Sequence, residues 1–202
     1  MSDETPSAGR IAPAVAAEFP DLALWRLDVD ALSGRSPDDV RERLRHLANR
    51  FRGAEALLMR TRPIPHAYRV FFRHIGLDPD AQRTPVEQRA LERLMHGGFR
   101  SAGIVEDALT IAIMETGVPV WALDAARLDG DLEVREDAPG GRLVVADARG
   151  TVALLFGEPV PAHAVTKDTR RVALFSIQVA DVPSIHVGEA LWMAAEIVED
   201  VG

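Results

Sequence analysis

The segment best suited to bind an anion is the polar stretch Thr166-Lys167-Asp168-Thr169-Arg170-Arg171, which lies between two apolar runs. It combines hydroxyls, the only lysine of the chain and two arginines, and such groups hold carboxylates or phosphates through charge-assisted hydrogen bonds. Glu158 and His163 come shortly before it. The same composition is typical of a solvated connection into the strand predicted from Val172, so both interpretations stay open.

The histidines and acids give no metal-binding pattern. No HExxH pair or tight ligand cluster occurs, and His66 and His74, eight residues apart, lack a third ligand. The absence of cysteine excludes thiolate ligands, thiolate nucleophiles and disulfides. Asp124, Asp129 and Asp131 could hold a hard cation, but this spacing is also typical of turns. The sequence therefore predicts neither a metal nor another cofactor.

Glycine and serine motifs for other chemistries do not occur. Gly97-Gly98 and Gly140-Gly141 match neither a dinucleotide loop nor a phosphate-binding P-loop. The full G-x-S-x-G pattern of a nucleophile elbow does not occur around Ser101, Ser176 or Ser184. The residues alone consequently define no reaction.

Apolar spacing and end signals predict helices in the first half of the chain and one at the end. Ser36 before Pro37 suggests a cap followed by proline at the first helical position, and Thr84 with Glu87 forms a capping box. The predicted helices cover residues 36–52, 66–75, 85–96, 103–115 and 183–199.

Short β-rich runs, separated by Gly, Pro and Asp, dominate after Gly117. This order predicts an α+β domain, with a central, mostly antiparallel or mixed β-sheet flanked by helices, and argues against a doubly wound fold. Residues 1–12 are predicted as a disordered tail and residues 13–202 as a single domain. The predicted strands cover residues 22–29, 54–59, 118–123, 132–135, 143–146, 152–156 and 172–179.

Charge is unevenly distributed along the 202 residues, whose formal net charge is −8. An acidic protein binds nucleic acid poorly without specific contacts, but residues 35–100 carry 14 basic and 8 acidic groups and could form a local phosphate-binding face. No basic-then-apolar leader and no apolar run of about 18 residues is present. We expect a cytoplasmic protein that does not enter the membrane.

A series of motifs in a fixed order resembles the stand-alone B-three/B-four proteins, which share the editing domain of the phenylalanyl-tRNA synthetase β subunit. The similarity covers about residues 36–199. It implies a β-sheet flanked by helices and metal-free hydrolysis of tyrosine misattached to phenylalanine tRNA. The motifs are the Gly76–Pro79 turn, the capped helix 85–94, the basic link 99–101, residues 104–106, Gly117–Asp124, Leu128–Arg135, Val144–Gly150, Thr166 with Thr169, and Ala173–Ile177.

The resemblance assigns roles to eight side chains. Glu106 and Glu158 are the expected catalytic residues, which orient water or the ammonium group of the substrate. The residues expected to bind the tRNA 3′ end or the amino acid are Arg100, Ser101, Thr166, Lys167, Thr169 and Arg170.

The sequence departs from the family pattern at two places. Where the family has an asparagine after the basic link and another later in the helix, this chain has Ala102 and Leu109. The usual Trp/Arg/Gln run before the threonines is replaced by Phe156–Val160. Loss of hydrogen-bonding groups from a specific pocket lowers discrimination strongly. The pocket is therefore expected to be more apolar, repurposed or inactive.

Three functions stay open at this stage. The first is a deacylase that acts in trans on mischarged tRNA. The second is a non-catalytic module that binds an amino-acid-like small molecule or an RNA end. The third is a protein-interaction module that uses the arginine-rich helix 36–52. The sequence gives no oligomeric state.

Overall fold

The computed structural model describes residues 5–31 and 34–199, in which a run of helices over residues 38–116 is followed by a run of short strands and a last helix. Two single 3₁₀ turns, Met59–Thr61 and Ala125–Arg127, join longer elements. The helices are α1 (Pro13–Glu18), α2 (Asp38–Arg50), α3 (Ala54–Leu58), α4 (Pro63–His74), α5 (Pro85–His96), α6 (Ile104–Thr116) and α7 (Ser184–Glu199). The strands are β1 (Ser7–Ala8), β2 (Arg10–Ile11), β3 (Ala23–Asp30), β4 (Trp121–Asp124), β5 (Glu133–Glu136), β6 (Leu143–Ala146), β7 (Thr151–Leu154) and β8 (Arg171–Gln178).

The predicted long helices are confirmed to within a few residues. The capping box is present, because Thr84 and Glu87 exchange side-chain and backbone hydrogen bonds at the start of α5. Ser36, by contrast, does not cap α2; its hydroxyl donates to Asp107 instead. The strand predicted at residues 54–59 is wrong. That segment forms α3 and the following 3₁₀ turn, because a short apolar run does not by itself distinguish a strand from a helix.

The α+β class is confirmed, with the strands divided between two sheets. The first sheet has the order β1-β3-β8-β4 and is antiparallel throughout. The second has the order β2-β5-β6-β7, in which only the β2–β5 pair is parallel among the described residues. The long β3–β8 pair, with Leu24 opposite Ile177, forms the centre of the first sheet.

Residues 7–11 join the two sheets, although the sequence placed them in a disordered tail. β1 pairs with β3 in the first sheet, and β2 pairs with β5 in the second. Gly9 lies between them, where an added Cβ would come within 2.6 Å of the Leu24 side chain. That close approach admits only glycine and fixes the crossing point. Residues 1–4 of the predicted tail and residues 200–202 of the predicted domain lie outside the described residues.

Helices α6 and α7 pack against each other, and α7 also covers β3 and β8. Ten of the thirteen residues of α6 are buried, so this helix runs through the core and its first turn is held rigidly. Tyr68 of α4 is fully buried and donates its hydroxyl to the carbonyl of Ile177, 2.9 Å away, which ties the helical layer to β8. The contacts with α7 hold α6 in the core, and a pocket opens at the N-terminal end of α6.

No helix within residues 5–31 and 34–199 combines the length and hydropathy needed to cross a bilayer. The same residues contain no group of three His, Asp or Glu side chains placed to hold a metal ion.

Candidate functional site

A pocket with a volume of about 780 Å³, called here the large pocket, lies at the N-terminal end of α6. Five stretches of chain reach it: the segment before and into α2, the entry to α6, β4 through Ala122, the residues after β7, and the polar stretch before β8. Its walls carry both signs of charge, an arrangement suited to a ligand with a cationic and an anionic part. The lining residues are Gly34, Arg35, Arg41, residues 101–106, Ala122, Glu158, Pro159 and residues 164–167.

The structure brings five of the predicted site residues to this pocket, and they come from widely separated parts of the sequence. They are Ser101, Glu106, Glu158, Thr166 and Lys167. Their roles stay predictions, because proximity shows a shared cavity and no reaction.

The other three predicted residues do not line the pocket. Thr169 is buried behind it, where its hydroxyl donates to Asp124 Oδ2 and accepts from the Thr166 backbone, each over 2.9 Å. The guanidinium of Arg170 donates to the carbonyls of Lys167 and Thr169, both at 3.1 Å. Arg100 is exposed next to the pocket entrance residue Ser101. Thr169 and Arg170 thus shape the polar loop that carries Thr166 and Lys167.

Asp107 organises the pocket entrance, and sequence reasoning missed it. Its side chain is 2% exposed. Oδ2 accepts from the hydroxyls of Ser36 and Ser101, each over 2.5 Å, and Oδ1 accepts from the Ala102 backbone at 2.9 Å. One carboxylate therefore joins the segment before α2 to the entry of α6. The available signal was an acid inside the otherwise apolar face formed by Ile104, Ala108 and Ile111.

Gly103 allows the segment before α2 and the entry of α6 to approach each other closely. Its φ of 119° lies in the left-handed region, and an added Cβ would stand 3.0 Å from the carbonyl oxygen of Gly34. That carbonyl accepts a 2.9 Å hydrogen bond from the Ile104 backbone. A glycine at this position lets the two segments touch, which positions the adjacent pocket residues.

A smaller cavity of about 190 Å³ shares Glu106, Ala122, Glu158 and Pro159 with the large pocket. Its apolar wall includes Leu109, Ile113, Trp121 and Phe156. Leu109, which stands where the resembling family has a later asparagine, is therefore part of this wall. The same cavity is also lined by charged side chains, including Arg83, Arg89 and Glu92, so one side of it is apolar and another is charged.

Phe156 joins this wall to the core through ring contacts. Its ring centroid lies 5.2 to 5.9 Å from those of Tyr68, Phe71, Phe72 and Trp121. It is one of two non-glycine residues with positive φ in the described chain, at 60°. Aromatic packing stabilises this unfavourable backbone conformation. The ring contacts of Phe156 with the core therefore hold the turn that carries Glu158 in place.

Two carboxylates at the site pair with the same arginine. Arg89 of α5 pairs with Glu106 over 3.0 Å and with Glu92 over 3.6 Å. Glu158 makes no hydrogen bond or ion pair within the described chain. The surrounding protein displaces water and raises the pKa of the Glu158 carboxyl above its ordinary range; Arg89 opposes this, and Glu106 and Glu92 add to it. Glu158 is therefore the pocket carboxylate to propose for proton transfer.

Replacing Glu158 with glutamine (Glu158→Gln) is expected to raise the melting temperature at pH 7 by about 1–2 °C. A carboxyl whose pKa is higher in the folded state gives stability that is complete below the unfolded pKa and is lost as pH rises through the folded pKa. Ionised Glu158 therefore costs stability at pH 7, and the cost is small because the side chain is exposed. Calorimetry should show the gain at pH 7 and none near pH 4; a gain only at low pH would contradict this.

Two acids of the predicted cluster, Asp124 and Asp129, are used in a turn and in an ion pair. Asp124 accepts from the Ala126 backbone and from Thr169, and Asp129 pairs with Arg149 over 3.1 Å. The nearby Asp147 accepts from the backbones of Asp129, Arg149 and Gly150. Turn formation and ion pairing therefore account for Asp124 and Asp129.

Comparison with known proteins relates part of the chain to the phenylalanine–tRNA ligase beta subunit. No family model matches. The chain is 36% identical over 61 residues to this subunit from Legionella pneumophila (strain Paris), a segment covering 30% of the chain and 8% of the relative. The identity is 31% over 102 residues (50% and 11%) for Streptomyces avermitilis, and 28% over 122 residues (53% and 14%) for Neisseria meningitidis serogroup A. The chain thus spans only a small part of these relatives.

Proposed function

We propose that this chain is a B-three/B-four domain that hydrolyses the ester of a mischarged aminoacyl-tRNA in trans. The observation that carries the proposal is the pocket that unites Glu106, Glu158, Thr166 and Lys167 beside a smaller cavity with one apolar wall. An aminoacyl ester offers an ammonium group for the glutamates, an apolar side chain for that wall and phosphates for basic groups. The partial similarity to phenylalanine–tRNA ligase beta subunits supports tRNA as the substrate class.

The proposed reaction needs one water and one base. Glu158 takes a proton as the water oxygen attacks the ester carbonyl carbon. The carbonyl carbon–ribose oxygen bond then breaks, and the proton passes to the ribose oxygen, which gives a free amino acid and an uncharged tRNA 3′ end. Glu106, held by Arg89, attracts the ammonium group and so positions the ester.

Glu158→Gln is expected to lower the hydrolysis rate by about 10²–10⁴-fold, because it removes the base while preserving the shape of the side chain. The assay follows release of labelled amino acid from Tyr-tRNA and from a panel of other mischarged tRNAs. Glu196→Gln, which removes an exposed acid from α7, is the matched control and should hydrolyse at the wild-type rate. No hydrolysis above the uncatalysed rate by the wild-type chain on any substrate would refute the enzyme.

A non-catalytic binding module is the second candidate, and the Arg89–Glu106 ion pair favours it. That pair neutralises one of the two acids in the absence of ligand. Ala102 and Leu109 also provide no side-chain hydrogen bonds where the resembling family has asparagines. A binding module predicts that an amino-acid-like ligand raises the melting temperature without any product being formed.

A further inference from the structure

Three basic side chains line the large pocket, in a chain whose net charge is −8. They are Arg35, Arg41 and Lys167, and we call them the cationic edge. Arg35 and Lys167 are exposed, so they lie where the pocket meets solvent. The two arginines come from the segment before α2 and its first turn, in the basic part of the chain for which the sequence allowed either a local phosphate-binding face or a protein interface.

The backbone on both sides of Arg35 is fixed. The Gly34 carbonyl accepts from the Ile104 backbone at 2.9 Å, and the buried Ser36 donates to Asp107 at 2.5 Å. Arg35 therefore projects from a segment that is attached on either side to the start of α6. The backbone that carries Arg35 therefore needs little further ordering when its side chain binds an anion.

The ion-pair partner of Arg41 is exposed to solvent, so water can replace it. Its guanidinium pairs with Asp38, whose side chain is 93% exposed, while that of Arg41 is 27% exposed. Ion pairs with such an exposed partner contribute little free energy. A phosphate offers the guanidinium two parallel hydrogen bonds, so exchange of Asp38 for a phosphate is favourable.

We propose that the cationic edge binds a backbone phosphate of the RNA strand whose 3′ end enters the pocket. This rests on the proposed function, because the RNA is taken from it. Glu106 and Glu158 line the same pocket and repel phosphate, so the strand can enter in one orientation only. The phosphate lies against Arg35, Arg41 and Lys167, and the end that carries the amino acid lies near the glutamates.

The test uses a fluorescein-labelled RNA hairpin with an unpaired, uncharged 3′-CCA end, and measures its binding to the full chain by anisotropy over a salt series. Arg35→Gln with Arg41→Gln is expected to weaken binding about tenfold or more, and to reduce the slope of log affinity against log salt by about 0.7, the value for one phosphate contact with a single strand. The matched control is Arg43→Gln with Arg45→Gln, which removes the same charge from α2 outside the pocket lining.

Equal losses from the two double variants would mean that α2 attracts RNA without a defined site, and would overturn the inference. So would an unchanged affinity in the first variant. Because the hairpin carries no amino acid, the result does not depend on turnover. If RNA binding is lost only in the first variant and no charged tRNA is hydrolysed, the proposed enzymatic function is refuted. The proposed phosphate contact at the cationic edge is then still supported.

Discussion

Replacing Asp107 with alanine (Asp107→Ala) is expected to lower the free energy of unfolding by about 3 kcal/mol. The change removes the acceptor for the hydroxyls of Ser36 and Ser101 and for the Ala102 backbone. Ser36 is 2% exposed, so water does not readily replace its lost acceptor. The melting temperature should fall by about 6–12 °C. Because the entry of α6 is then released from the segment before α2, ligand binding in the large pocket should weaken as well.

The matched control for this experiment is Glu106→Ala, which removes an acid from the same turn of α6. Its side chain is 48% exposed and pairs with one arginine, so the free energy of unfolding should change by less than about 1 kcal/mol. Denaturant unfolding monitored by circular dichroism measures both variants. Similar losses of stability in the two would show that the Asp107 carboxylate does not join the two segments.

Replacing Arg69 with methionine (Arg69→Met) is expected to cost about 3–5 kcal/mol, the usual loss when one partner of a buried ion pair is removed. The Arg69 side chain is 8% exposed and bonds Glu87 at 2.5 Å and Asp80 at 2.6 Å. Glu87 is 11% exposed and would keep an uncompensated charge. It also accepts from Thr84 in the capping box, so the start of α5, which carries Arg89, should become less ordered.

Two further measurements isolate the ion pair. The double variant Arg69→Met with Glu87→Gln should recover part of the lost stability, because it removes the unpaired charge. Arg69 also holds the pKa of the exposed Asp80 carboxyl below its ordinary range through a hydrogen bond, so that pKa should rise in Arg69→Met when measured by NMR. Arg73→Met, an exposed change on the same helix, is the control. An Arg69→Met chain as stable as this control would contradict the prediction.

Local signals predicted the helices well. Val40, Leu44 and Leu47 in α2 recur at helical spacing and are all buried, and the capping box at Thr84 is formed as expected. The segment 54–59 was predicted wrongly, because a short apolar run does not distinguish a strand from a helix. Residues 7–11 carry no strand pattern, and they pair only because β3 and β5 present free backbone groups beside them.

The candidate site was predictable in part. The resemblance named Ser101, Glu106, Glu158, Thr166 and Lys167, all of which line one pocket. The sequence could not place Arg35 and Arg41 there, because their position depends on a junction between α6 and a segment far away in the chain. It also could not separate Glu106 from Asp107. Adjacent acids on a helix differ by about 100° in direction, and the burial of one becomes visible only when the helix is packed.

The two-residue strands at Ser7–Ala8 and Arg10–Ile11 limit how far the chain can be shortened at its N-terminal end. Each is the outermost strand of its sheet on that side, so one short segment covers the open edges of β3 and β5 together. Unpaired edges are sites where two molecules join through backbone hydrogen bonds. Removal of residues 1–11 would expose both edges at once, and the shortened chain would tend to aggregate even though its core is complete.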